Sequence, residues 1–294
     1  MDDDHERYVV GLIGAGIGSS LSPGLHEHEA RHLGLRYIYQ IIDITELGIA
    51  AADVGSLVTA ASRLGFRGLN ITHPCKRLVV GHLDEISDDA AAIGAVNTVV
   101  FTGGRSIGHN TDGFGFAASF RRVMSGAAIG DVVILGVGGA GAAVAQAMLR
   151  MGTGRLTLID ADTARAEHIA AALSAEAREP VRACGVDALA ERLLTADGLV
   201  NATPVGMTPH QGTPVPPGLL RPEMWVADVV YRPIETELLR DARRHGCRTM
   251  HGGGMVAFQA AEALRLFTGR APDPERMYRH LAASIGEGTG GRVA

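Results

Sequence analysis

Two consecutive α/β units are predicted for this chain of 294 residues by three observations. Strand-length apolar runs alternate with helical stretches along most of the sequence, the pattern of a helix-covered sheet. That alternation starts afresh at Val132-Val-Ile-Leu135, which runs straight into a glycine cluster and a second helical stretch. The length is too great for one small core and suits two medium domains or one large α/β domain. The boundaries read as 1–112 for the first domain, completed by C-terminal helices within 252–294, and 113–251 for the second.

The elements follow in order. Tyr8-Val-Val-Gly-Leu-Ile13 is a buried-strand pattern, and Ser22-Pro23 supplies an N-cap and a first-turn residue for the helix after it. Residues 37–44 alternate as a strand, 47–64 are helical, and 67–72 form a third strand with Asn70 and Thr72 on one face before Pro74. Mixed helix, strand and turn signals run from Leu83 to Phe101. In the second domain strands are expected at 132–135, 155–160, 180–184, 198–201 and 225–230, with helices at 142–151, 163–175 and 235–245. Helices at 254–268 and 273–287 close the chain, and Gly286-Glu-Gly-Thr-Gly-Gly291 reads as a frayed tail.

Composition narrows the function classes. Hydrophobic residues at 46%, charged residues at 20% and 39 glycines interleaved with apolar runs describe an ordinary globular protein rich in tight turns. A net charge of -5 gives no electrostatic footprint for nucleic acid or an anionic membrane, so small molecules are the expected partners. Cys75, Cys184 and Cys247 are too few and too scattered for a disulfide framework or a zinc cluster. The acidic start and the lack of a long apolar run predict a cytoplasmic protein without a signal peptide.

Four segments carry chemistry. Gly136-Val-Gly138-Gly139-Ala140-Gly141 follows a strand and opens a helix, the context in which a glycine loop holds a dinucleotide pyrophosphate against free helix N–H groups. The next strand ends at Asp160, 19 residues after Gly141, close to the offset of the acid that binds ribose hydroxyls. A carboxylate there repels a 2′-phosphate and favours NAD over NADP; Arg165 could instead pair with that phosphate or lie against the adenine. Gly14-Ala-Gly16-Ile-Gly18 also follows a strand, but its spacing departs from the fingerprint, and it reads as a turn presenting Ser20 and Ser22 to an anionic group. His28-Glu-Ala-Arg-His32 matches a zinc-protease pattern formally, yet no third ligand follows, and it reads as a solvated helix face without metal. Among 27 lysines and arginines only Lys76 is a lysine, the one cation able to give up its proton under neighbouring influence. Asp112 precedes Gly113-Phe-Gly115, a break expected to free its carboxylate from regular structure.

Taken in order, Ser20-Leu-Ser22-Pro23, Asn70-Ile-Thr72-His-Pro-Cys-Lys76, Gly94-Ala-Val-Asn97-Thr98, Asn110-Thr-Asp112, the glycine loop, Asn201-Ala-Thr203-Pro-Val-Gly-Met207, Asp228-Val-Val-Tyr231 and Gln259 resemble the shikimate dehydrogenase family. Its quinate/shikimate branch is the most similar, and the resemblance spans about residues 8–280. It implies an N-terminal substrate domain, a Rossmann-type nucleotide domain and Lys76 with Asp112 as the catalytic pair. By the same resemblance Ser20 and Ser22 hold a carboxylate. Thr72, Asn97, Asp112 and Gln259 hold ring hydroxyls, with Asn70 and Tyr231 nearby. Gly136, Gly138, Gly139, Ala140, Gly141, Asp160, Arg165, Thr203, Val229 and Gly252 would line the dinucleotide site.

The chemistry agrees: oxidising a secondary alcohol sends hydride to a nicotinamide and leaves a proton for a base within hydrogen-bond reach. Three departures stand out. Gly18-Ser19 replaces a His common before the serine pair, His251-Gly252 replaces a usual Asp-Gly, and Asp160 stands where NADP-dependent members carry a polar or basic motif. The expected activity is NAD-dependent interconversion of quinate or shikimate with the 3-dehydro acids, by a monomer or homodimer. An NADP-linked biosynthetic shikimate dehydrogenase, a non-catalytic nucleotide sensor and a zinc hydrolase are the alternatives.

Overall fold

The computed structural model describes residues 7–175 and 177–290. By its pattern of contacts the chain divides into Met1–Thr111 with Ala257–Ala294, and Asp112–Val256.

The first unit runs β1 (Arg7–Gly14), α1 (Ser22–His32), β2 (Arg36–Asp43), α2 (Val54–Arg63), β3 (Gly68–Ile71), α3 (Cys75–Leu78), β4 (Glu85–Ile86), α4 (Asp88–Ile93), β5 (Thr98–Thr102) and β6 (Arg105–His109). Its six-stranded sheet has the order β2-β1-β3-β5-β6-β4. β1 is parallel to β2 and β3, whereas β5 runs antiparallel to β3 and β6. Strand alternation sends Ile13, Leu69 and Ile71 into one apolar cluster with Val54 and Val58 of α2. Val10, Leu12 and Tyr39 enter a second cluster, on the opposite face, with Ala263 and Phe267. Asn70, lying between Leu69 and Ile71, therefore points to that second face.

The second unit runs α5 (Asp112–Val123), β7 (Asp131–Leu135), α6 (Gly139–Arg150), β8 (Arg155–Ile159), α7 (Thr163–Leu173), β9 (Arg182–Cys184), α8 (Leu189–Leu193), β10 (Gly198–Asn201), β11 (Trp225–Asp228), α9 (Glu237–Arg244) and β12 (Arg248–Met250). Its strands pair in parallel in the order β12-β11-β10-β7-β8-β9. Read from β9, this is the doubly wound order in which the first strand of the unit sits beside the fourth, and the switch point falls at the β7 end that carries the glycine loop. α10 (Gly253–Thr268) and α11 (Pro274–Gly290) complete the chain.

Four local expectations are corrected. α1 starts at Ser22 itself, with Leu21 as the N-cap and no side-chain cap, because the Ser22 hydroxyl is engaged with its neighbours. The helix expected from 47 begins as a short turn at Ala51 and as α2 at Val54, since Gly48 adopts φ +63 and ends the preceding turn. Gly113 and Gly115 do not break the chain after Asp112 but lie inside α5. A Cβ on Gly113 would stand 3.0 Å from the Ala143 carbonyl oxygen, so glycine permits the close approach of α5 to α6. The glycine-rich stretch from Gly286 continues α11 to Gly290, each residue extending a helix already nucleated; Gly291 lies outside the described residues.

Glu29 anchors α1 to α11. Its carboxylate is fully buried and accepts from Arg276 Nε at 2.8 Å, Arg276 Nη2 at 2.6 Å and the Asp273 amide at 2.7 Å. Arg276→Ala would leave that carboxylate buried with a single donor. The expected loss is on the order of 3 kcal/mol, read as a lower urea midpoint; an unchanged midpoint would show that Glu29 finds another partner.

Candidate active site

In the first unit the loop after β1 is shaped by Asp43 at the end of β2. Its carboxylate accepts from the amides of Gly16 at 3.0 Å, Ile17 at 2.6 Å and Thr45 at 3.0 Å. Burial alone would raise its pKa, and the hydrogen bonds from Gly16, Thr45 and Ile17 together hold it below the usual carboxylate range. The loop then returns through a bond from the Ser20 amide to the Ile17 carbonyl, which sets Ser20 and Ser22 side by side. Their hydroxyl oxygens are 3.2 Å apart, both half-buried, at the start of α1.

From Tyr39 a chain of hydrogen bonds crosses the sheet. Tyr39, which sequence reasoning passed over, donates through its hydroxyl to Asn70 Oδ1 at 2.8 Å. Asn70 Nδ2 donates to the Asn97 carbonyl and to Thr98 Oγ1. Asn97 Oδ1 accepts from Thr98 Oγ1 at 2.9 Å and from the Thr111 amide at 2.8 Å, while its Nδ2 donates to Thr111 Oγ1 at 3.0 Å. Thr111 Oγ1 lies 3.2 Å from Gln259 Oε1 on α10. Asn70, Asn97 and Gln259 thus belong to one connected polar system, with Tyr39 and Thr111 as its missed members, while Ser20 and Ser22 are bonded to each other. The alternation of Tyr37 with Tyr39 in β2 was the signal available for the first.

Thr72 sits one residue beyond β3, its amide bonded to the Ile13 carbonyl at 2.9 Å and its carbonyl to the Cys75 amide at 2.8 Å. That turn starts α3, where Lys76 is half-buried and its carbonyl accepts from the Val96 amide at 2.9 Å, tying it to the segment before Asn97. Cys75 is wholly buried and burial pushes its thiol pKa up, the behaviour of a packed thiol. Asp112 opens α5 in the second unit and is buried.

In the second unit the glycine loop fits a dinucleotide phosphate site. Gly136 has φ +92, and a Cβ on Gly141 would fall 1.9 Å from the Gly136 carbonyl oxygen, so side chains are excluded where the loop doubles back. A Cβ on Gly138 would meet nothing within 4 Å, leaving open space before the first turn of α6, whose N–H groups and dipole suit an anion. Thr203 packs against Gly136, and its amide and hydroxyl both donate to Asn201 Oδ1, at 3.0 and 2.7 Å. Asn201 Nδ2 donates to Asp228 Oδ1, which also accepts from the Val230 amide. Burial raises the Asp228 pKa to about 6, against the hydrogen bonds from Val230, Thr236 and Asn201. The amide of Val229 bonds to the Asn201 carbonyl, and Gly252 lies directly on the Val229 carbonyl. Glycine loop, Thr203, Val229 and Gly252 are therefore neighbours. Tyr231 lies just beyond, half-buried, its phenol pKa raised by burial.

Asp160 departs from the expectation of a carboxylate open to ribose. It accepts from the Val137 amide at 2.6 Å, the Asp162 amide at 2.9 Å, and Arg165 Nε and Nη2 at 3.3 and 2.6 Å, which together use its four acceptor positions. Burial would raise its pKa, but the bonds from Arg165, Asp162 and Val137 keep it low and ionised. Arg165 is thus placed on Asp160, its side chain 40% exposed.

The His28–His32 motif is also corrected. His28 and His32 are ring neighbours, with His280 stacked on His28, but the intervening Glu29 is buried and committed to Arg276 instead of solvated. Such a carboxylate is unavailable as a general base. Among the described residues no helix is long and apolar enough to cross a membrane.

Residues 12–99 match the model of the shikimate dehydrogenase substrate binding domain. A protein of Streptomyces avermitilis named shikimate dehydrogenase (NADP(+)) is 56% identical over 282 residues, covering 96% of this chain and 97% of its own. The chain belongs to the shikimate dehydrogenase family. Like that family it is a nicotinamide-dinucleotide-dependent oxidoreductase acting on a CH–OH group. A quinate/shikimate dehydrogenase (NAD(+)) of Corynebacterium efficiens is 46% identical, over 93% of this chain and 97% of its own. The solved quinate dehydrogenase of Corynebacterium glutamicum in complex with NAD superposes with a TM-score of 0.88 at 43% identity, covering 94% of this chain and 99% of that one. For this family member, the two sheets on which the candidate residues are mounted correspond to a substrate-binding domain and a Rossmann-type domain.

Proposed function

We propose that the chain interconverts quinate or shikimate with 3-dehydroquinate or 3-dehydroshikimate, using NAD, with Lys76 and Asp112 handling the proton. When bound, the nicotinamide supplies the hydride acceptor or donor. Lys76 Nζ takes the proton of the ring hydroxyl during oxidation and returns it to the developing alkoxide during reduction. Asp112 orients both the hydroxyl and the lysine. Ser20 and Ser22 hold the ring carboxylate, Thr72, Asn97 and Gln259 hold ring hydroxyls, and Asn70 and Tyr231 border the ring. Gly136, Gly138, Gly139, Ala140 and Gly141 hold the pyrophosphate, with Thr203, Val229 and Gly252 beside the nicotinamide half. The first unit serves as substrate domain and the second as nucleotide domain.

The observation that carries NAD is the ionised Asp160, pinned by the Val137 amide beneath the glycine loop and closing β8. A fixed negative charge at that strand end opposes a 2′-phosphate. Asp160→Ala should raise the NADP/NAD ratio of kcat/KM by about tenfold or more, the scale of one like-charge contact removed; an unchanged ratio would show that other residues set the preference. NADP is the second reading, favoured by the name of the Streptomyces relative and by Arg165, whose part-exposed guanidinium could turn from Asp160 to a phosphate. Initial rates over quinate and shikimate with NAD and NADP separate the two. Turnover of neither acid with either nucleotide would overturn the proposal as a whole.

A further inference from the structure

Asp228 closes β11 and is 1% exposed. Oδ1 accepts from Asn201 Nδ2 of β10 and from the Val230 amide, both at 3.0 Å. Oδ2 accepts at 2.7 Å from the hydroxyl of Thr236, the residue that caps α9. The bond from Val230 closes a short turn with Val229 at its corner, and the Val229 amide bonds at 3.0 Å to the Asn201 carbonyl. The bond from Asn201 sets that side-chain amide: Nδ2 spends its other hydrogen on the Val205 carbonyl at 3.1 Å, so Oδ1 faces Thr203 and takes both its N–H and its hydroxyl. The Thr203 hydroxyl accepts in turn from the Val205 amide at 3.2 Å. Turned the other way, Asn201 would set its oxygen against the carboxylate and its hydrogens against two donors. One carboxylate therefore holds Val229 through the turn and Thr203 through Asn201.

We propose that Asp228 is a positioning residue of the nucleotide site: its carboxylate fixes the Asn201 amide and the Val229 turn, and so presets Thr203 and Val229 for the nicotinamide half of the dinucleotide. The inference rests on the reading of Thr203 and Val229 given above. The groups that meet the carboxylate, from β10, from the segment after β11 and from the start of α9, are an amide, a backbone N–H and a hydroxyl, none of which titrates. Nearby, Glu235 and Arg243 are paired with each other. Among the described residues no charged side chain bears on the Asp228 pKa, which burial raises to about 6. As the pH rises from the ordinary carboxylate range to that value, stability is lost, and at neutral pH the charge is carried at a cost to folding. A neutral isostere removes that cost but weakens the hold on Asn201 and Val230. Folding and nucleotide binding should therefore respond to it in different directions.

Equilibrium titrations of wild type, Asp228→Asn and Thr203→Val with NADH and with ADP-ribose, which lacks the nicotinamide, test this beside thermal melts at neutral pH. Asp228→Asn should weaken NADH about tenfold, the worth of making two charge-assisted hydrogen bonds neutral, and ADP-ribose by less than about twofold. Its melting temperature should equal or exceed that of wild type. In wild type the affinity for NADH relative to ADP-ribose should fall as the pH drops through about 6, whereas in Asp228→Asn it should stay level. That wild-type series needs no substitution, so it decides the matter even where a variant does not fold. Equal losses for NADH and ADP-ribose with a lower melting temperature would mark Asp228 as merely structural and overturn the inference. A level wild-type series, or wild-type NADH affinity in Asp228→Asn while Thr203→Val loses it, would overturn the inference alone. If Thr203→Val leaves the NADH to ADP-ribose ratio unchanged, the reading of Thr203 fails and this inference falls with it.

Discussion

Lys76→Ala should lower kcat by at least about a hundredfold in both directions while leaving NADH affinity near wild type. The separation is expected because Lys76 belongs to the first unit, whereas the glycine loop, Thr203, Val229 and Gly252 are assembled within the second. Lys76→Arg should fare little better than alanine. Arginine keeps the positive charge but does not release a proton in the accessible pH range, so it can hold an alkoxide without accepting the hydroxyl proton. Stopped-flow or steady-state rates with saturating nucleotide measure the loss, and NADH fluorescence titration measures the affinity. Near-normal turnover in Lys76→Ala would remove Lys76 from the proton step.

Gly141→Ala should weaken NADH binding by at least about thirtyfold, the equivalent of one charge-assisted hydrogen bond, and lower thermal stability as well. The added Cβ would lie 1.9 Å from the Gly136 carbonyl oxygen, a backbone atom that cannot swing aside as a side-chain end could. Gly136, held at φ +92 against Thr203, would have to move with it. Gly138→Ala is the informative contrast. Its φ of -74 and ψ of -165 suit alanine, and its Cβ meets no protein atom within 4 Å, so folding should be untouched. Only the open space before α6 is filled, and weaker NADH binding with an unchanged melting temperature would place the phosphate there. Wild-type affinity in both variants would remove the loop from nucleotide binding.

The glycine loop was readable in the sequence because its information is local: a strand, a turn that tolerates no side chains and a helix follow one another within about two dozen residues. The Asn70 to Lys76 segment was readable for the same reason. Ser22 was harder, since an N-cap and a hydroxyl aimed elsewhere look alike in sequence; the structure pairs its hydroxyl with that of Ser20 and leaves the helix without a side-chain cap. Asp112 misled for a related reason. Two nearby glycines can mean a broken chain or a close helix contact, and only the position of Ala143 on α6 distinguishes them.

By itself the sequence determined the two α/β units, the restart at Val132, the glycine loop and the order of the family's landmark residues, because periodicity and turn chemistry act between near neighbours along the chain. Only the tertiary structure decided who those residues bond. It put Tyr39 on Asn70, Arg165 on Asp160, Asp228 against Asn201, and Glu29 in the grip of Arg276, 247 residues away. Hydrogen bonds and ion pairs depend on distances of about 3 Å, and strand order and helix packing set those distances between segments far apart in sequence. Residue types can therefore announce a chemistry, while the polar partners that orient it emerge only once the sheets have formed.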